Sequence, residues 1–180
     1  DLPSTAQDGF SMLRAAIADP DPVVLIEARA LYFTTGILDV DAPREAVGGA
    51  RLRKSGTDAL IVTWGTMVNQ SLEAAEQLGH AGISAAVLDL RWLNPLDDAE
   101  LSRHVLAAGG RVVVAHEANL TGGFGAEIAA RISQKHWSDL VAPVMRVGSP
   151  DIRVPASPVL MKSLVPNANT IVDAVRNILA

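Results

Sequence analysis

The chain is 180 residues long, 49% hydrophobic, carries a formal net charge of −5 and contains no cysteine. Those values exclude a disulfide scaffold, a thiolate metal site and a cysteine nucleophile, and without a Lys/Arg cluster they argue against nucleic acid and anionic membranes as partners. No apolar run approaches the roughly 18 residues that a membrane-spanning helix needs, so the surplus hydrophobicity belongs to buried strands or a subunit interface.

Cysteine usage and the lack of a visible signal peptide fit a cytoplasmic protein. The chain opens on Asp1-Leu2-Pro3 rather than Met, which reads as part of something longer. Ser4 with Gln7 has the pattern of a capping box, and Phe10, Leu13 and Ile17 follow at helical spacing, so a helix is predicted over 5–18. Asp19-Pro20-Asp21-Pro22 stops it, and Val23 to Ile26 reads as a fully buried strand. Residues 33–48 show no apolar period and read as a loop.

From Ala50 the pattern becomes regular. Strands are predicted at 60–63, 83–88, 111–115 and 143–147. Between them lie a helix over 67–78, with Val68, Leu72, Ala75 and Leu78 on one face and Gly79 at its C-cap, and a helix capped by Asp97 with Glu100. A third helix covers 123–136, and Ile171, Val175, Ile178 and Leu179 stripe a closing one. Strands alternating with helices imply βαβ units, hence a three-layer αβα fold with a mostly parallel open sheet. Residues 33–48 are the natural boundary between a helix-strand unit at 1–48 and a domain at 49–180.

Several blocks carry a resemblance. They are Pro3-Ser4-Thr5 with Asp8; Asp21-Pro22-Val23-Val24 through Glu27 to Leu31-Tyr32; Thr63-Trp64-Gly65-Thr66-Met67-Val68; Val87 to Asp97 (VLDLRWLNPLD); His116 to Ile128 (HEANLTGGFGAEI); and Ala142 to Val147. In this order, covering nearly the whole chain, they resemble the beta subunit of thiamine-diphosphate-dependent 2-oxo acid dehydrogenases, the decarboxylating component of the pyruvate and branched-chain complexes. Ala28, where that family has Pro, and the 33–48 loop depart from its pattern.

The resemblance implies a remnant of the pyrimidine-binding domain at 1–48 and a complete transketolase-type C-terminal domain at 49–180. It further implies that the catalytic groups lie upstream, and that thiamine diphosphate and Mg²⁺ are not held by this chain. No catalytic or cofactor-binding residue is therefore expected here, and the isolated chain is expected to be inactive. The implied partners are the alpha subunit, a second beta subunit and the subunit-binding domain of the acyltransferase core. Without the rest of its sheet, the first segment should expose Leu13, Ile17, Val24 and Ile26 and drive self-association.

Several residues invite a site reading. His116 and Glu117, at a predicted strand end, can form an acid–base pair or a hydrogen-bonded pair fixing a loop at a contact. Gly122-Gly123-Phe124-Gly125 at a helix start can cradle a phosphate or serve a tight turn with close helix–sheet packing. Asp19 and Asp21 can ligate a hard cation or form a solvated turn; the resemblance makes them, with the Ala16 carbonyl, part of a potassium site in the intact subunit. Trp64 and Trp92 suit a subunit contact or burial under a helix. His80, His104 and His136 read as surface or cap residues without a carboxylate partner at helical spacing. Ser149 and Ser157 lack a nucleophile-elbow pattern.

The favoured function is the C-terminal part of such a beta subunit, contributing assembly and docking to an oxidative decarboxylation that passes an acyl group to lipoyl. The alternatives are the equivalent domain of a transketolase or a deoxyxylulose-phosphate synthase, or a freestanding assembly module.

Overall fold

The computed structural model describes all residues from Asp1 to Ala180. Helix α1 (Ala6–Ala18) is followed by a 3₁₀ turn at Arg29–Leu31 and a long irregular stretch. Next come β1 (Arg51–Lys54), β2 (Ala59–Thr63), α2 (Met67–His80), β3 (Ala85–Asp89), α3 (Asp98–Ala107) and β4 (Val112–Asn119). The chain closes with α4 (Phe124–Lys135), β5 (Met145–Ser149), α5 (Pro158–Leu164) and α6 (Ala168–Leu179). The five strands form one sheet in the order β1-β3-β2-β4-β5. β2, β3, β4 and β5 are parallel, and β1 joins the β3 edge antiparallel.

The alternation of the strands sorts their side chains onto two cores. Ile61, Val87, Val113 and Ala115 face α2 and α6, where Leu78, Ile171, Val175 and Ile178 meet them. Leu60, Val62, Leu88 and Val114 face the opposite layer with Leu101, Val105, Ile128 and Ile132. β2 and β3 are buried along their whole length, as expected of central parallel strands covered on both faces. The result is the three-layer αβα arrangement with a mostly parallel sheet. No helix is long and apolar enough to cross a membrane.

Several local expectations are corrected. The α1 cap is Thr5, whose hydroxyl accepts from the Asp8 N–H at 3.1 Å, rather than Ser4 with Gln7. Ser4 is instead engaged by Asp89. Helix α2 runs through Gly79 to His80, and Gly82, at φ +80°, makes the turn; that left-handed conformation favours glycine. Residues 23–28 are extended but belong to no sheet, so Val23–Ile26 is not a buried strand: Val24 is 72% exposed. The segment's long-range backbone partner in this chain is Asp1, whose N–H donates to the Val24 carbonyl at 3.0 Å and whose carbonyl accepts from the Ile26 N–H at 3.0 Å, too short a pairing to make a strand. Leu13, Ile17, Val24 and Ile26 are all exposed. β1 and α5 lie in stretches without a decisive period, and the sequence reading omitted them.

Candidate functional site

β3 lies on one side of β2 and β4 on the other, so the winding of the sheet reverses between β2 and β4. In open parallel sheets the crevice outside the carboxyl ends of the strands at such a reversal is where ligands and functional groups collect. Here it is built by Trp64-Gly65-Thr66 after β2 and by His116-Glu117 near the end of β4.

His116 and Glu117 are neighbours on a strand and so project to opposite faces. His116 is fully buried on the α4 side, its ring stacked on Trp64 with centroids 5.5 Å apart and planes 8° from parallel. Phe124 meets Trp64 edge-on, with centroids 6.2 Å apart. A side-chain carbon added at Gly123, Gly125 or Gly148 would press on the imidazole, so the three glycines wrap it. Close packing is thus what Gly123 and Gly125 provide, and the first turn of α4 rests on a ring rather than framing an open anion cradle. Neither ring nitrogen has a hydrogen-bond partner. Burial, and then the positive charge of Arg146, hold the imidazole below the usual histidine range.

Glu117 is exposed on the other face, beside a groove of about 380 Å³ that Thr66, Asn69, Gln70 and Lys162 also line. The expected hydrogen-bonded or acid–base pair is therefore not formed. The imidazole is closed off from solvent and from Glu117, and neither of its nitrogens is paired.

A second constellation gathers at the carboxyl end of β3. Asp8 from α1 and Asp89 from β3 are both fully buried. The Ser4 hydroxyl lies 2.6 Å from Asp89 Oδ2 and 3.2 Å from Asp8 Oδ2. Arg53 bonds both carboxylates, at 2.8 Å to Asp89. Arg91, 3% exposed, places Nε 3.0 Å from Asp8 Oδ1 and one terminal nitrogen 2.5 Å from Glu45. Arg51 reaches Asp8 at 3.2 Å and Glu45 at 2.6 Å.

Three guanidinium groups thus face three carboxylates. Burial pushes Asp8 up, but the Thr5 hydroxyl and the charges of Arg53 and Arg91 outweigh it, leaving this carboxyl below the usual range. For Asp89 burial wins over Ser4 and Arg53, and its carboxyl is raised. The sequence reading did not find this cluster. Its one signal was a pair of charged residues, Asp89 and Arg91, directly after an otherwise apolar strand.

The remaining candidates disperse. Asp19 Oδ1 accepts from the Asp21 N–H at 2.9 Å, and the Ala16 carbonyl accepts from the Asp19 N–H at 3.3 Å, so the oxygens assigned to a cation close a helix end and a turn. No group of three or more His, Asp and Glu side chains lies close enough together to hold a metal. Trp92 is buried against Met12 and Ala15 of α1.

His136 is the C-cap of α4, as one of the two readings had it, but both it and His104 are buried, and each has a carboxylate neighbour: Glu100 at 3.4 Å for His104 and Asp139 at 3.3 Å for His136. Glu100 stands four residues before His104, a helical spacing that the sequence reading overlooked. Ser149 donates to the Glu117 carbonyl at 2.6 Å. The exposed indole is Trp137, at 79%.

A mostly parallel, doubly wound sheet between two helix layers defines an open α/β domain. The sequence profile of the transketolase C-terminal domain matches residues 48–171, and the chain belongs to that family. Over 179 residues it is 37% identical to the 3-methyl-2-oxobutanoate dehydrogenase subunit beta of Mycobacterium tuberculosis, matching 99% of this chain and 51% of that protein. It is 40% identical to the pyruvate dehydrogenase E1 component subunit beta of Leifsonia xyli, again over 99% of this chain and 52% of that protein. The chain spans about half the length of the curated relatives it matches. A solved structure described as a split gene transketolase, inactive beta4 tetramer, superposes with a TM-score of 0.79 at 28% identity, covering 99% of this chain and 56% of that one.

Proposed function

We propose that this chain is the C-terminal part of the beta subunit of a 2-oxo acid dehydrogenase decarboxylating component, working in the cytoplasm. Identity of 37–40% to two such subunits across the whole chain carries the reading. In it, residues 1–48 derive from a pyrimidine-binding domain and residues 49–180 form the transketolase-type domain. The exposed apolar side chains of α1 and of the segment 23–28 support that division, since they suit a sheet that continues in residues outside this chain.

The residues present do not fit a thiamine diphosphate site. They offer no cluster of carboxylates for the diphosphate-bound Mg²⁺, and the glycine turn is filled by His116. In this reading, catalysis by the whole enzyme falls to groups outside this chain. Ala16, Asp19 and Asp21 can contribute oxygens to a potassium site only if further ligands join them. His116 with Trp64 fixes the α4 loop, Trp92 seats α1, and Glu117 faces a groove open to a partner. Those partners are the alpha subunit, a second beta subunit and the subunit-binding domain of the acyltransferase core.

The likeness to a split transketolase favours a second reading, the matching domain of a transketolase. Its lower identity ranks it behind. Expressing the complete reading frame together with an alpha subunit, and assaying decarboxylation of pyruvate and of 3-methyl-2-oxobutanoate, separates the two. The expected result is turnover by the assembled pair and none by the 180-residue chain alone. Ketol transfer in place of 2-oxo acid decarboxylation, or turnover by the chain alone, would overturn the proposal.

A further inference from the structure

Every side-chain hydrogen bond or ion pair that joins residues 1–48 to residues 49–180 converges on one cluster: Ser4, Asp8 and Glu45 on one side, Arg51, Arg53, Asp89 and Arg91 on the other. One backbone bond, from the Leu2 N–H to the Arg91 carbonyl at 2.8 Å, crosses beside it. Apolar contact between α1 and the sheet domain is a small cluster, Met12 and Ala15 against Trp92. The connecting chain, residues 33–48, contains no helix or strand. α1 is thus attached through a long irregular tether, a small apolar patch and a charge cluster.

Arg91 has an unusual place in this cluster. Its φ of +57° is the one left-handed value among the non-glycine residues, a conformation costly for a side chain with Cβ. The strained backbone aims its guanidinium into the interior, where it spans Asp8 of α1 and Glu45 of the tether. Buried ion pairs add little net stability compared with apolar packing, but breaking one by removing a single partner is strongly unfavourable. Such a cluster selects one arrangement over its neighbours rather than gluing two surfaces together.

We infer that Arg91 is the pivot of a charge latch that holds the N-terminal segment against the sheet domain, and that with the latch opened α1 swings away while the sheet stays folded. The latch is a property of this chain and does not depend on which enzyme it belongs to. Arg91 is a positioning residue: it sets the angle at which α1, and any sheet continuous with residues 23–28, meets the C-terminal domain. Opening uncovers Trp92 and takes from the two hydrophobic cores of the sheet no more than the partly buried Leu2 at the edge of one of them.

Hydrogen exchange of the full 180-residue chain, read peptide by peptide, tests this. In Arg91→Met, exchange over Ala6–Ala18 should rise on the order of a hundredfold while β2 and β4 keep their wild-type rates. Trp92 emission should shift to the red. Asp8→Asn should act in the same direction, and the double variant should be no faster than the faster single one, because both open the same contact. Arg91→Lys, which keeps the charge without the fork, should lie between wild type and Arg91→Met. The inference is overturned if α1 in Arg91→Met stays as protected as in the wild type, or if α1 and the sheet accelerate by the same factor. Should Arg91→Met fail to fold, Arg91→Lys decides by the same comparison: faster α1 over an unchanged sheet supports the latch, and parallel or absent change refutes it.

Discussion

The glycine wrap around His116 makes a quantitative prediction about Gly125. Alanine at a helical position is ordinarily better than glycine by about 1 kcal/mol, so Gly125→Ala would stabilise α4 if nothing lay beside it. In this fold the new methyl overlaps the His116 ring. The ring has little room to give, since Trp64 stacks on it and Gly123 and Gly148 stand so near that a Cβ at either would crowd it. Overpacking costs about 1–3 kcal/mol; with the new methyl well inside van der Waals distance of the ring's Cδ2 and Nε2 the upper part of that range, about 2–3 kcal/mol, applies, and after the helix gain Gly125→Ala is less stable by about 1–2 kcal/mol. With a urea m-value of roughly 2 kcal/mol/M, the denaturation midpoint falls by about 0.5–1 M.

His116→Ala opens a cavity, at a cost of a few kcal/mol by comparison with other large buried rings. It also removes two unpartnered buried nitrogens, whose burial costs on the order of 1–3 kcal/mol, so its net loss should be modest. In the double variant the alanine methyl occupies part of the space the ring has left. Urea unfolding of the four proteins should therefore show a favourable coupling of about 1–2 kcal/mol. A stabilised Gly125→Ala, or strictly additive single effects, would show that the imidazole does not lie beneath this turn.

The same histidine sets a pH dependence. Its folded-state pKa is depressed, so between that value and the ordinary value near about 6.5 the unfolded chain holds more protons than the folded one. Stability should fall as pH drops through this window and level off below it. His104 is also depressed by burial, so the measurement is the slope of wild type minus that of His116→Ala; equal slopes would refute the assignment. Replacing Ile17 and Val24, 76% and 72% exposed, with Glu should abolish self-association seen by sedimentation while changing the unfolding midpoint little; persistence of the oligomer would place its contact elsewhere. Deleting residues 1–45 should leave a folded sheet domain with native far-UV CD, yet lower its melting temperature, because Arg91 loses both Asp8 and Glu45. Collapse of the sheet itself would make the first segment integral to the domain.

What could be read in the sequence follows from the range of each signal. The alternation of β2, α2, β3, α3, β4 and α4 was legible because burial on two faces writes a continuous local pattern, such as Leu60 to Thr63 or Val112 to Ala115. The Asp97 cap was legible because its partner, the Glu100 N–H at 3.0 Å, is three residues away. β1 was not, since an edge strand reading Arg-Leu-Arg-Lys has no apolar face to announce it.

The charge cluster was invisible for a stronger reason: Ser4 and Asp89 are 85 residues apart, and Asp8 and Arg53 are 45 apart. Each acid and base alone looks like ordinary surface charge. Only the fold shows that three arginines and three acids share one contact, with Asp8, Asp89 and Arg91 buried at its centre. The Asp89-Leu90-Arg91 wording then acquires a physical meaning, with the strand end supplying a buried carboxylate and the residue after next a buried cation. That cation turns back through a left-handed backbone to meet α1. A side chain placed there at such conformational cost is expected to specify an arrangement rather than add bulk stability. The sensitive readout is therefore the protection of α1 relative to the sheet, rather than the melting point of the whole chain.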